Sequence, residues 1–563
     1  MDNKRLILAS VFVFSLFMLW DAWQKFNAPP PPVQAAVVAG QTEGTPVPQV
    51  PSVVAAQAAK PTVPVAQVPA SDSRSEVITV KTDLFVASIS TVGGDLVSLE
   101  LNHYKSVTDK TQPFLLFEGK HQYAAQSGLI GEGLPNHRTL YTAVKGEREL
   151  TSDAKEIKLR LEAANADGVK VAKVFTFTRG SYLIGVSHEI DNASQKPIAA
   201  HAYYQLQRDT SSPEGESGMA NTFTGPALYT EQDKYQKLDF KDIEKGKAKF
   251  SEKADNGWMA MVQHYFVSAW IPEAKLAREF YVRKLDNNAV TAGIIVPLPA
   301  LAAGAKASQN VSLYAGPQIQ SVLDQLAKPT ADGGIGAQGL PLVVDYGWLT
   351  IVAAPIFWCL EMIHKLVGNW GWAIVLLTII VKAILYPLTN ASYKSMAKMR
   401  AVAPKLEALK KQHGDDRMAL QTAMMQMYRD EKINPLGGCL PMLLQIPVFI
   451  GLYWAIFSSV ELRQAPWILW VHDLSRPDPW FILPFLMAAT MWFQTTLNPP
   501  PTDPMQAKMM KIMPLVFSFM FFFFPAGLVL YYVVNNLLSI AQQWYINNSI
   551  EKQRAQGEVL DKK

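Results

Sequence analysis

Cysteine is almost missing from this chain: Cys359 and Cys439 are the two in 563 residues. Neither falls before residue 340, so no disulfide framework staples the first half, which must rest on its own core. Two separated cysteines also exclude a cysteine-based structural zinc site, and the nine histidines lack ligand spacing such as HExxH. The histidines read as ordinary surface or core residues, and Cys359 as a small apolar one. Net charge is only +4 and no basic–aromatic stretch occurs, which argues against a nucleic-acid substrate. A Walker-type phosphate loop is lacking too, so nothing points to a nucleotide. Finally, no acid interrupts any long apolar run beyond residue 370.

What is present divides the chain. The mean hydropathy of +0.06 averages a soluble first part, to about residue 340, with a membrane part after it. The length suggests three or four units. Lys4 and Arg5 precede the apolar stretch Leu6 to Trp20, which is either a cleaved secretory signal or an uncleaved anchor. No small-x-small site follows closely, and Trp20 and Trp23 suit an interfacial belt, so 1–27 reads as an anchor. Residues 28–75 are rich in Pro, Ala, Val and Gln, a composition that tethers rather than packs.

Period-two alternation with turn punctuation dominates 76–330. Val97, Leu99 and Leu101 are expected on one strand face, and Phe175 and Phe177 alternate with Thr176 and Thr178. Gly93-Gly94, Arg179-Gly180 and Asp191-Asn192 read as turns. Many short strands with such breaks predict a large all-β antiparallel sandwich. Over 340–368, the apolar stretch Asp345 to Val367 is interrupted by Pro355, Glu361, His364 and Lys365. It is expected to lie in the membrane interface as an amphipathic helix.

The region 369–550 holds five apolar runs: Gly371–Thr389, Gly438–Ser459, Trp480–Leu497, the short Ile512–Phe524, and Leu528–Tyr545. With the anchor this makes six transmembrane helices, five of them forming a helical core. Segment 390–437 carries nine basic residues against five acids, whereas 460–479 carries two against three. The basic loop belongs in the cytoplasm. Six alternating spans then put both termini, including the tail 551–563, inside and the sandwich outside.

Within 390–437, Met399, Val402, Leu406 and Leu409, then Leu420, Met424 and Met427, recur at steps of three and four. This predicts an antiparallel helical hairpin, with Pro404 kinking the first arm or marking a helix restart. Two uses are open: a solvated basic hairpin that anchors topology, or a methionine-rich docking surface.

Lys382 is the single charge in Gly371–Thr389, and Thr378 lies one turn earlier on its face. An intramembrane charge costs at least about 2.5–3.5 kcal/mol and so marks a candidate functional site. Snorkelling to the nearby cytoplasmic headgroups is the plainer alternative. Other polar groups accompany it: Gln445, Gln494, and a stripe of Tyr532, Asn536, Ser539 and Gln543 in the last run. Such a stripe either holds helices together or lines a wet cavity. With no acid to neutralise Lys382, a cavity open to the cytoplasm is the expectation.

Several segments resemble the YidC membrane-protein insertases, in the long form of double-membrane bacteria. They are Lys382–Arg400 (KAILYPLTNASYKSMAKMR), Asn434–Pro441 (NPLGGCLP), Val460–Pro466 (VELRQAP), Asp503–Met505 and Phe524–Tyr532 (FPAGLVLYY). The anchor, tether, sandwich and Gly257–Pro272 (GWMAMVQHYFVSAWIP) suit that form, and the resemblance covers nearly the whole chain. It implies an inner-membrane insertase and chaperone rather than an enzyme, without cofactor or metal. Its partners would be nascent membrane proteins, lipid, the Sec translocon, and ribosome or targeting factors met by hairpin and tail. The resemblance also implies a hydrophilic groove whose cation is usually Arg and here is Lys382, a replacement that keeps the charge but loses the bidentate fork. Thr378 and Tyr532 match positions that contact the inserting chain, and Gln445 and Asn536 join the candidate groove. Two rivals have distinct requirements. A small-solute transporter needs paired ionisable groups near the midplane. An anchored carbohydrate-active enzyme needs a carboxylate pair in a sandwich cleft.

Overall fold

A computed structural model describes residues 76–165, 168–213, 222–414, 416–431, 440–497, 508–509, 512, 516 and 518–555. The expected anchor 1–27, tether 28–75, Cys439 and the segment Asp503–Met505 lie outside the described residues.

The first part is the expected sandwich: two nine-stranded sheets in which all paired strands run antiparallel. Alternation drives it. In Val169–Thr178, Phe175 and Phe177 are buried while Thr178 faces solvent. Leu96–Lys105 departs from simple alternation. Ile89 pairs with Leu96 and Ser88 with Ser98, so Val97 is the extra residue of a bulge. Leu96, Leu99 and Leu101 are therefore the buried residues, and Val97 is only half-buried. A bulge shifts the face of every residue before it, which period counting cannot detect.

The turn at Gly93 needs glycine: its φ is +75°, and a Cβ there would lie 2.3 Å from the His137 carbonyl oxygen. Asn192, expected in a turn, instead ends the strand Leu183–Asn192. Its buried amide donates to the Lys196, Leu301 and Ala302 carbonyls, at 2.9, 3.1 and 3.0 Å. The first bond is local turn chemistry, and the other two tie this strand end to the loop before Lys306.

After the sandwich come helix α1 (Gln320–Ala327) and α2 (Thr350–Val367). Ala353, Phe357, Leu360 and Ile363 form the buried face of α2, against α3 (Trp370–Ala401) and α6 (Leu440–Ser458). Trp348, Ile351, Trp358 and Leu366 are exposed on or beside it. The segment Gly347–Val367 is long and apolar enough to cross a membrane, as is Trp370–Met396.

The apolar run of α3 stops near Pro387, but the helix continues to Ala401. At the ~1.5 Å rise it measures about 48 Å. The hairpin forms as expected. Helix α4 (Ala403–His413) restarts with Pro404 in its first turn, where a missing N–H costs nothing, and packs on α5 (Arg417–Asp430). The Asp416 carboxylate caps α5 by accepting from the amides of Met418 and Ala419 at 3.1 and 3.0 Å.

Helices α7 (Ile482–Leu497) and α8 (Ala526–Ala555) complete the bundle. A tight turn at Phe521–Phe523 and extended Phe524 separate α8 from the helical residues before it, where Pro525 had marked a break.

The sandwich is fastened to the helices at one junction. The Arg463 guanidinium donates to the Lys105 carbonyl at 2.6 Å and stacks over Phe114 and Phe266. His264 Nε2 donates to the Phe457 carbonyl at 2.8 Å, and Lys237 pairs with Asp345. The Glu461 carboxylate accepts from the Gln320 amide at 3.3 Å, where α1 begins.

Candidate functional site

Helix α8 packs chiefly on α3 and α7, and more lightly on α6. Its sequence puts polar residues at 535, 536, 539, 542 and 543, at steps of three and four with two adjacent pairs. Each pair spreads the stripe over about 100° of helix surface, enough to face three neighbours rather than one. The hydrogen bonds follow that division.

Toward α3, Lys382 Nζ donates to Ser539 Oγ at 2.6 Å, and Gln542 Nε2 donates to Thr389 Oγ1 at 2.8 Å. Toward α6, Gln445 Nε2 donates to Asn535 Oδ1 at 2.5 Å. Toward α7, Asn536 Nδ2 reaches Thr490 Oγ1 at 3.3 Å, and Gln543 Nε2 donates to the Leu497 carbonyl at 3.1 Å. Asn535, Asn536, Ser539 and Gln543 are all buried, and Lys382 is half-buried.

Lys382 and Gln445 are thus tied to α8 at Ser539 and Asn535, while Asn536, itself on α8, reaches across to α7. Thr378 is buried and its hydroxyl bonds the Ile374 carbonyl of its own helix at 2.7 Å. Tyr532 sits apart from the hydrogen bonds, its ring edge-on to Phe449 and Phe521 at 4.9 Å each. Sequence reasoning passed over Asn535, Thr490, Gln542 and Thr389. Asn535 could have been found: a second amide beside Asn536 doubles the face that the stripe covers.

A second buried polar cluster lies inside the sandwich. Lys173 has no exposed surface; its ammonium donates to the carbonyls of Gly93, Ser127 and Gly94 at 2.6, 2.9 and 3.2 Å. Asp95 stands 3.9 Å away and the Tyr141 ring 5.6 Å. Asp95 also accepts from Gln126 Nε2 at 2.9 Å; Gln126 accepts from Gln205, which in turn accepts from Tyr281. Burial pushes the Asp95 carboxyl up and the Lys173 ammonium down, and their mutual attraction opposes both shifts. Burial likewise drives His137 down to about 3, so it is neutral where its ring meets the Tyr203 hydroxyl at 2.5 Å. The cluster is closed and offers no cleft.

A cavity of about 220 Å³ at the edge of the sandwich does hold two carboxylates, Asp109 and Glu118. Asp109 accepts from the Thr111 amide and hydroxyl, which hold its pKa below the usual range. Glu118 pairs with His121 at 3.2 Å. A general acid needs a raised pKa, and Asp109 has the opposite. The closed cluster holds a single carboxylate, Asp95, where the enzyme rival requires a pair in a cleft. No cluster among the described residues could hold a metal ion.

Two family descriptions match the chain: "YidC periplasmic domain" over residues 77–359 and "60Kd inner membrane protein" over 362–553. A membrane protein insertase YidC of Dechloromonas aromatica (strain RCB) is 58% identical over 554 residues, covering 98% of each chain. One from Aromatoleum aromaticum is 52% identical, covering 99% of each. A crystal structure of an active YidC insertase with its first transmembrane domain resolved is 21% identical, at a TM-score of 0.41. It covers 83% of this chain and 92% of that one.

Proposed function

The chain belongs to the YidC family of membrane-protein insertases, and from that premise we propose how its own residues act. It is an inner-membrane insertase with a periplasmic β-sandwich, and its substrates are newly made membrane proteins. The core acts as a hydrophilic groove walled by α3, α6, α7 and α8 and open to the cytoplasm. Lys382, Gln445, Asn536, Thr378 and Tyr532 lie along it. A hydrophilic outer segment of the client enters the groove, where Lys382 and the α8 stripe offset its lost hydration. The client's apolar segment slides into lipid along α6 and the apolar run Ile512–Phe524. Burial at about 0.8 kcal/mol per CH₂ drives the step without a nucleotide.

The observation that carries this reading is the Lys382–Ser539 contact: a cation among apolar helices held by a neutral hydroxyl and not by an acid. A paired ionisable site, which solute transport would need, does not occur around Lys382 among the described residues.

The topology we favour has the sandwich periplasmic, the hairpin and both termini cytoplasmic, and six spans. Helix α2 then lies in the outer interface despite its length. If both α2 and α3 crossed, the sandwich before them and the basic hairpin after them would share one side. The hairpin offers exposed Met418 and Met425 to ribosome or targeting factors, and the tail 551–563 is a further contact for them in the same proposal. Association with the Sec translocon is part of the same proposal.

Reconstitution tests it. Vesicles containing only this purified chain should insert a short single-span client. K382Q should slow a client with an acidic outer segment about tenfold and a neutral one far less, while K382R preserves both. Equal rates for K382Q and wild type on every client would remove the electrostatic role.

A further inference from the structure

Ser539 is placed by its own helix. Its hydroxyl donates to the Asn535 carbonyl, one turn back, at 2.7 Å. A hydroxyl carries a single proton, so a lone pair is left facing the Lys382 ammonium at 2.6 Å. The side chain is 3% exposed, so water does not compete freely for that lone pair. Asn535, which receives the Ser539 proton on its main chain, receives Gln445 of α6 on its side chain at 2.5 Å. One residue of α8 therefore ties the cation's holder to a second helix.

We propose that Ser539 is a positioning residue for the Lys382 ammonium, a neutral placeholder that yields to a client carboxylate during insertion. This rests on the groove reading above, with its acidic client segments, and adds the residue that stations the cation between clients. A neutral acceptor suits the role because its bond to the ammonium lacks the charge–charge attraction that a carboxylate adds. An arriving carboxylate therefore displaces the hydroxyl, and after the client leaves the hydroxyl takes the ammonium back. An acid at 539 would hold Lys382 permanently, and no acceptor at all would leave the long lysine stem without a fixed station.

The test uses the full chain in vesicles with two single-span clients that differ only in outer charge, acidic or neutral. It reads the ratio of acidic to neutral client inserted in the same vesicles, so that losses of folded protein cancel. S539A should lower the ratio about two- to tenfold, because water at the half-buried ammonium replaces part of the one positioning bond that is lost. S539T, which keeps the hydroxyl, should restore it, and S539D should lower it more than tenfold. K382Q is the reference. If K382Q lowers the ratio while S539A and S539D leave it at the wild-type value, Ser539 has only a structural role and the inference falls alone. If K382Q leaves the ratio unchanged, the groove reading falls and takes the inference with it.

Discussion

Two lysines leave water in this protein, and their surroundings differ. Lys173, inside the sandwich, has three carbonyl acceptors, a carboxylate and an aromatic face. Lys382, inside the helical bundle, has one hydroxyl among the described residues. The first ammonium has an acceptor for each of its three donors and no exposed surface. The second leaves donor capacity unspent, since an ammonium carries three donors. A buried charge is therefore not by itself a functional signal; the number of bonds its partners already make decides whether it can act.

The largest expected effect would separate the two sites by stability. Lys173→Met removes one partner of a buried ionic cluster, leaving Asp95 and three carbonyls uncompensated. It should cost roughly 3–5 kcal/mol, read as a lower denaturation midpoint by near-ultraviolet circular dichroism of the full chain in detergent. Insertion by the protein that still folds should be unchanged. Lys382→Met should do the reverse, shifting the midpoint by less than about 1 kcal/mol while the acidic client fails. A large stability loss at Lys382 would erase the contrast.

The junction between the two regions should respond to pH. Burial pushes the Glu461 carboxyl from 4.5 up to about 7, and its bonds to backbone amides only partly oppose this. The folded junction thus favours the protonated acid. Its contribution is complete below pH 4.5 and is lost as pH rises through 7. The thermal midpoint should fall by a few degrees (roughly 2–5 °C) between pH 5 and 8, and Glu461→Gln should flatten that slope. A flat wild-type profile would refute the burial argument. The smallest expected effect is Thr490→Val, which removes a long contact to Asn536. It should cost about 0.6 kcal/mol, read as an equally small change in resistance to detergent unfolding.

How far the two regions could be read from sequence also differs. Alternation at Phe175 and Phe177 revealed the sandwich, because burial on one face writes itself into every second residue. The bulge at Val97 escaped, since one inserted residue leaves composition untouched. In the bundle, Lys382 stood out because nothing else in its run is charged. Its partner was not identifiable: Ser539 lies 157 residues away, and four polar residues in the last run shared its stripe. Asn535 was overlooked for a related reason. A stripe drawn along a single face passes through Asn536 and misses its neighbour, although α8 has three faces to satisfy. Pro387 lies near the end of the apolar run but not of the helix, so hydropathy marked where the apolar sequence stops and not where α3 does.

The order of synthesis gives α8 a further consequence. A chain emerges from its N-terminus, so α3, α6 and α7 reach the bilayer before residues 526–555 exist. Until then Lys382 and Gln445 lack the side chains that accept from them, and Thr389 and Thr490 bond only carbonyls of their own helices. The young bundle must keep those groups wet, borrow partners from a neighbour, or wait beside another copy of the machine it is becoming. When the last helix arrives it closes five contacts together. Assembly of this insertase is then itself a small case of the problem it solves for others.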